Sequence, residues 1–252
     1  MLKEQLELVL RMGDNALVLS QRLCAWVGKG PALEEDMALA NTALDLVGQA
    51  RLWLAYAADI EGRGRTEDEI AYQRDSHEFR NLLIVERPNG SYADTLVRQY
   101  FFDSWHILAL DQLTRSKDEK IAAIASKATK EVLYHLRRSS DLIVRLGDGT
   151  DESHTRIQLA IDSHWAYTGE MFVADDFDRA AAEAGLIGGL VSDLHAPWLT
   201  QVTSTLTAGT LKTPDAKAWM QSGGKTGRHT EDLGYLLAEM QFLQRAYPGL
   251  QW

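Results

Sequence analysis

The chain has one cysteine, Cys24, among 252 residues. That excludes a disulfide framework and any CxxC metal site, and it fits a reducing cytoplasm. Proline is nearly as scarce, with five residues: Pro31, Pro88, Pro197, Pro214 and Pro248. The spans 32–87 and 89–196 have none, which suits long helices, because an interior proline costs about 3 kcal/mol. Positive charge is in deficit, with 26 Lys and Arg against 36 Asp and Glu and a net charge of −10. Nucleic acid and anionic membranes are therefore excluded as main partners, since their affinity comes from basic residues. No apolar run approaches the roughly 18 residues of a membrane span. The first residues, MLKEQLELVLRMGDNALVL, carry acidic groups in their opening turns and lack a signal-peptide core.

What is present is ordinary globular composition, 45% hydrophobic and 25% charged. Apolar residues recur at spacings of three and four: Leu6, Val9, Leu10 and Leu17; then Met37, Leu44, Leu52 and Ala55; then Leu96, Tyr100, Ile107 and Leu110; then Ile121, Ile124, Ala128, Val132 and Leu142. The pattern predicts long helices near 3–27, 33–61, 91–116 and 118–147. Glycine-rich stops lie at 28–30, 62–64, 88–90 and 147–149, and Asp118 and Asp151 are N-cap candidates. Shorter helices are expected near 67–80, 152–172, 175–185, 190–209 and 230–246. Only Leu82–Val85 reads as strand-like, and 210–230 reads as an extended surface loop. The expectation is an all-α chain. It would form one domain over 1–252: a ferritin-like four-helix bundle in about 3–147, with one long crossover and extra C-terminal helices over 151–252.

A ferritin-like bundle invites a test for a carboxylate-bridged di-iron site, which needs a Glu from each of two helices and Glu-x-x-His from the other two. The residues fall short. The first helix offers Asp14, or less well Glu7. The second offers Asp45, with Gly48 where a histidine is required. The third offers Asp103 and His106, and the fourth offers Glu131, with Tyr134 at the histidine position and His135 one residue late. A degenerate site filled by its own ion pairs and hydrogen bonds fits this set better than a working one, because buried carboxylates need partners. Gly48 would let helix backbones approach.

Other motifs carry less. Gly223-Gly224-Lys225-Thr226 resembles the tail of a phosphate loop, but Trp219 stands where its first glycine belongs. Lys225, Arg228 and His229 are candidate contacts to an anion or an acidic partner surface. Arg74, His77 and Arg80 in the crossover form a candidate rim for an anionic ligand or partner. Cys24 reads as a buried structural thiol, and the apolar end at Trp252 as a docking element.

The stretches RMGDNALVLSQRL, ALANTALDLVGQAR, NLLIVERPNGSYADTLVRQYFFDSWH and TEDLGYLLAEMQFLQRAYPG resemble, over essentially the whole length, the C-type subunits of bacterial phenylacetyl-CoA epoxidases. The resemblance implies a cytoplasmic, non-catalytic structural subunit with no cofactor of its own. Its partners would be a catalytic A subunit that holds di-iron, bound as a tight heterodimer within a higher-order assembly, a bridging B subunit, and a reductase with flavin and iron–sulfur. Alone, the chain would form homodimers. Two other readings stay open: an autonomous di-iron oxidase using Asp14, Asp45, Asp103, His106, Glu131 and His135, and a CoA-thioester binding module using the 72–81 and 223–229 segments.

Overall fold

A computed structural model describes residues 2–215 and 217–250, so Trp252 lies outside the described residues. They form helices and 3-10 turns and no strand. No helix among them is long and apolar enough to cross a membrane. The chain divides into two compact units, Met1–Pro88 with Gly223–Trp252, and Asn89–Ser222, where the sequence reading draws one domain.

The first unit is built on α1 (Leu2–Cys24) and α2 (Leu33–Glu61), which pack along each other. Gly13 permits their close approach, since a Cβ there would stand 2.7 Å from the Leu54 side chain. Gly62 closes α2 in the left-handed conformation, at φ 65°, where glycine carries no Cβ penalty. Residues 11–20 of α1 are buried all round, polar ones included. α2 buries Leu39, Ala43, Leu46, Ala50, Trp53, Leu54 and Ala57. Met37 and Leu44 point outward instead, because the helix is apolar on more than one face and periodicity does not say which face the core takes. Then follow α3 (Glu67–Gln73), capped by Thr66 and Glu69 in a reciprocal box, and a 3-10 turn at Ser76–Glu78. The strand-like run is a helical turn, α4 (Leu83–Glu86). It finds no neighbouring strand, and the Leu82 N–H is taken by the Asn15 side chain at 2.8 Å.

The second unit pairs α5 (Tyr92–Thr114) with α6 (Glu119–Gly147). Asp118 caps α6 as expected, accepting from the N–H groups of Lys120 and Ile121. Thr150, rather than Asp151, caps α7 (Asp151–Trp165). After α8 (Asp176–Glu183) comes α9 (His195–Ala208), which accommodates Pro197 in its first turn, where the missing N–H would be unpaired anyway. Phe101, Trp165 and Trp198 meet with ring centroids 5.7–5.8 Å apart, and the Trp198 indole donates to the Phe101 carbonyl at 3.1 Å. This aromatic cluster fastens α7 and α9 to α5.

The chain returns to the first unit through a 3-10 turn at Gly224–Thr226, α10 (Glu231–Met240) and α11 (Phe242–Ala246). The expected surface loop is thus anchored at its end: Gly223 and Gly224 are buried, and Gly224 lies against the Asn81 carbonyl. Cys24 is exposed at the end of α1, not buried. The all-helical architecture of long paired helices is consistent with a ferritin-like helical fold.

A Cβ at Gly224 would stand 2.1 Å from the Asn81 oxygen, which is backbone and cannot yield cheaply. Gly224→Ala is therefore expected to lower the unfolding free energy by about 2–3 kcal/mol, read as a lower urea midpoint at unchanged slope.

Candidate functional site

Asp14 and Arg74 form the centre of the first unit. Asp14 is fully buried and Arg74 is 3% exposed. The Arg74 guanidinium grips both carboxylate oxygens, and the Arg80 backbone N–H adds a third bond at 2.8 Å. The same guanidinium donates to the Ile70 and Glu78 carbonyls and lies 4.3 Å over the Phe79 ring. Such a fork leaves Asp14 enclosed by cationic and neutral donors. Arg74 is accordingly no rim residue. It is held inside because the chain leaving α3 comes back to α1, where Arg74 and the Arg80 backbone N–H meet Asp14.

The other candidates in this unit separate. Arg80 is half-buried, donating to the His77 and Phe79 carbonyls, while His77 and Arg228 are exposed and Lys225 is half-buried. Asp45 and Gly48 are half-buried on α2, and a Cβ at Gly48 would meet nothing within 4 Å. The glycine therefore admits no close backbone neighbour, contrary to the reason expected for it.

In the second unit, Asp103 and His106 of α5 are 1% and 2% exposed, and His135 of α6 is as deeply buried. Asp103 accepts from the Gln99 amide at 2.6 Å and the Ser139 hydroxyl at 2.9 Å. Burial pushes its carboxyl up to about 6, against the pull of His135, the two hydrogen bonds and Arg138. Burial, and then the neighbouring His135, push His106 down to about 3, so its imidazole is neutral. Its ring stacks near Trp105 and Phe102, and its Nδ1 has no hydrogen-bond partner. Glu131 is half-buried, and Tyr134 is 56% exposed. Within either unit, the described residues bring no three His, Cys, Asp or Glu side chains together as a metal site.

These residues do not fit an iron pair: Asp14 is enclosed by an arginine, and Tyr134 is more than half in solvent. Sequence reasoning missed Glu86 and its pairing with His229, 2.9 Å away, and read His229 as a contact to an anion or partner. The available signal was a lone carboxylate ending the apolar run Leu82–Val85.

A family described as "Phenylacetic acid catabolic protein" matches residues 2–252. The chain belongs to that family. Among its relatives is the C subunit of the 1,2-phenylacetyl-CoA epoxidase of Escherichia coli (strain K12), 51% identical over 243 residues, which cover 96% of this chain and 97% of the relative. The resemblance in the sequence is thereby shown at family level.

In this family member the two buried α5 groups act oppositely on stability. Asp103 keeps its proton to about 6 in the fold but only to 3.8 unfolded. The native state thus binds more protons between those values, and stability falls with rising pH by about 3 kcal/mol. His106 titrates near 3 in the fold and 6.5 unfolded, so across that window its contribution rises with pH. Asp103→Asn should therefore gain stability more steeply than wild type between about pH 4 and pH 6, and His106→Gln should decline there. Urea midpoints at stepped pH check this; curves parallel to wild type would contradict it.

Proposed function

We propose that this chain is a non-catalytic structural subunit of a multicomponent mono-oxygenase that epoxidises the ring of phenylacetyl-CoA, and that it binds and stabilises the catalytic A subunit. In this reading the di-iron centre belongs to the A subunit, the flavin and iron–sulfur groups to the reductase, and the chain itself carries no cofactor. The observation that carries the reading is the Asp14–Arg74 pair: an arginine lies where a metal would have to approach the carboxylate. The relative named as the epoxidase's C subunit supports it from outside.

The chain's work is then packing. α2 presents an outward row, Leu33, Met37, Leu44 and Val47, at spacings of four, seven and three, which places them on one helix face. The first three are more than half exposed, at 72%, 57% and 67%. An apolar row of this kind, broken by Asn41, suits helix-on-helix contact with a second helical subunit. The reading of the chain as an autonomous oxidase finds no support in Asp14 or Tyr134. The CoA-binding reading loses Arg74 to the interior and Gly224 to the Asn81 backbone.

The test is reconstitution. The purified chain, incubated with ferrous iron and desalted, is expected to retain far less than one iron per chain and to consume no O2 with phenylacetyl-CoA. The same chain with the A subunit and reductase is expected to support turnover. Met37→Lys with Leu44→Lys should weaken A-subunit binding at least about tenfold with helicity unchanged. Two irons per chain with O2-dependent epoxidation by the chain alone would overturn the proposal.

A further inference from the structure

Outside the Asp14 and Asp103 clusters, the first unit holds another buried ionisable pair whose geometry has a consequence of its own. Glu86 is fully buried, and its carboxylate accepts from the Thr230 N–H at 2.7 Å, the Asn81 amide at 3.1 Å and His229 Nδ1 at 2.9 Å. The other ring nitrogen of His229, Nε2, faces the Phe79 carbonyl at 3.1 Å. A carbonyl oxygen only accepts, so Nε2 must carry hydrogen. Between Nδ1 and the Glu86 oxygen one further proton is needed, whichever of the two groups holds it. Without it, two lone pairs would face each other at hydrogen-bond distance in a buried site. The arrangement thus closes around one exchangeable proton.

We propose that Glu86 and His229 form a pH-sensitive latch that fastens the segment 223–246 onto the 74–87 crossover. This contact of the strap closes around a shared proton. Its far end is held by the Gln241 amide on the Ala71 and Arg74 carbonyls, and by Arg245 on the Gln73 and Arg74 carbonyls and on Asp75. Charged groups near the latch come from α1, the crossover and α10, with Arg228 and Glu231 of the strap flanking it in sequence. From α1, Arg22 donates to the Glu86 and Asp232 carbonyls. From the crossover come Arg80, on the Phe79 carbonyl, and Arg87, paired with Asp232 of α10 at 2.9 Å. Glu239 of α10 acts on Arg22. Three arginines thus surround the pair, countered by Asp232 and Glu239, and of these groups only Glu86 and His229 share a proton.

The latch turns on one substitution that removes the proton without removing the bond. In Glu86→Gln the side-chain amide can donate to Nδ1 of a neutral His229 and still accept from the Thr230 N–H. Asn81 meets the new amide by turning its unpartnered Oδ1 toward it, which gives up its own bond to the Leu82 carbonyl.

Hydrogen–deuterium exchange on the full chain, corrected for intrinsic rates, tests this together with the ring-nitrogen resonances of His229. In the wild type, protection of residues 224–233 is expected to fall at least about tenfold over the pH interval in which the pair loses its shared proton. His229→Gln should show the low protection already at neutral pH. Glu86→Gln should keep high protection at every pH. Arg245→Ala should loosen 242–246 without adding pH dependence. Wild-type protection unmoved as the shared proton is lost, or a pH dependence surviving in Glu86→Gln, would overturn the latch.

Discussion

The bidentate pairing of Asp14 with Arg74 is the constraint on which the first unit is organised. A carboxylate in the middle of a helix buried on every side would be intolerable alone, because an unpaired buried charge costs several kcal/mol. Arg74 reaches it only if the chain after α2 turns back across α1, so the pair dictates where α3 and the following turn lie. Once there, the Arg74 carbonyl becomes the acceptor for Gln241 and Arg245, and α10 and α11 are seated in turn. One ion pair thus propagates through backbone groups to the C-terminal helices.

The second unit solves a similar problem differently. Asp103 has neutral donors from Gln99 and Ser139 rather than an arginine fork, and burial wins over them, so its carboxyl holds its proton far above the usual range. His106, set among the rings of Phe102 and Trp105, is held neutral in the opposite sense. Two polar interiors of similar composition therefore differ in character: a carboxylate gripped by an arginine in one, and in the other a carboxyl raised to about 6 beside a neutral imidazole. Among the described residues, neither arrangement gathers the carboxylates and imidazoles that an iron pair needs.

Much of the fold was legible because the strongest signals are local. Proline-free spans, glycine stops such as Gly62 and the cap at Asp118 give the long helices nearly to the residue. What was not legible is what links distant residues or distinguishes two apolar faces. Nothing near Asp14 announces Arg74, 60 positions away, and nothing near Glu86 announces His229, 143 positions away. Met37 and Leu44 follow the helical period as well as Leu39 and Leu46 do, so periodicity could not tell the outward row from the core. Cys24 reads as buried from its apolar neighbours, yet the last turn of α1 leaves it in solvent. Gly48 and Tyr134 were correctly located on their helices, while their surroundings, open space and solvent, depend on packing that sequence does not state.

A double-mutant cycle on Asp14 and Arg74, measured as urea unfolding free energies of Asp14→Asn, Arg74→Met and the pair, tests the central claim most directly. Each single change should cost about 3–5 kcal/mol, and the double variant should cost much less than their sum, with a coupling of about 2 kcal/mol or more. Additive losses, with coupling within about 0.5 kcal/mol, would show that the two side chains stand independently and that this pair does not organise the fold.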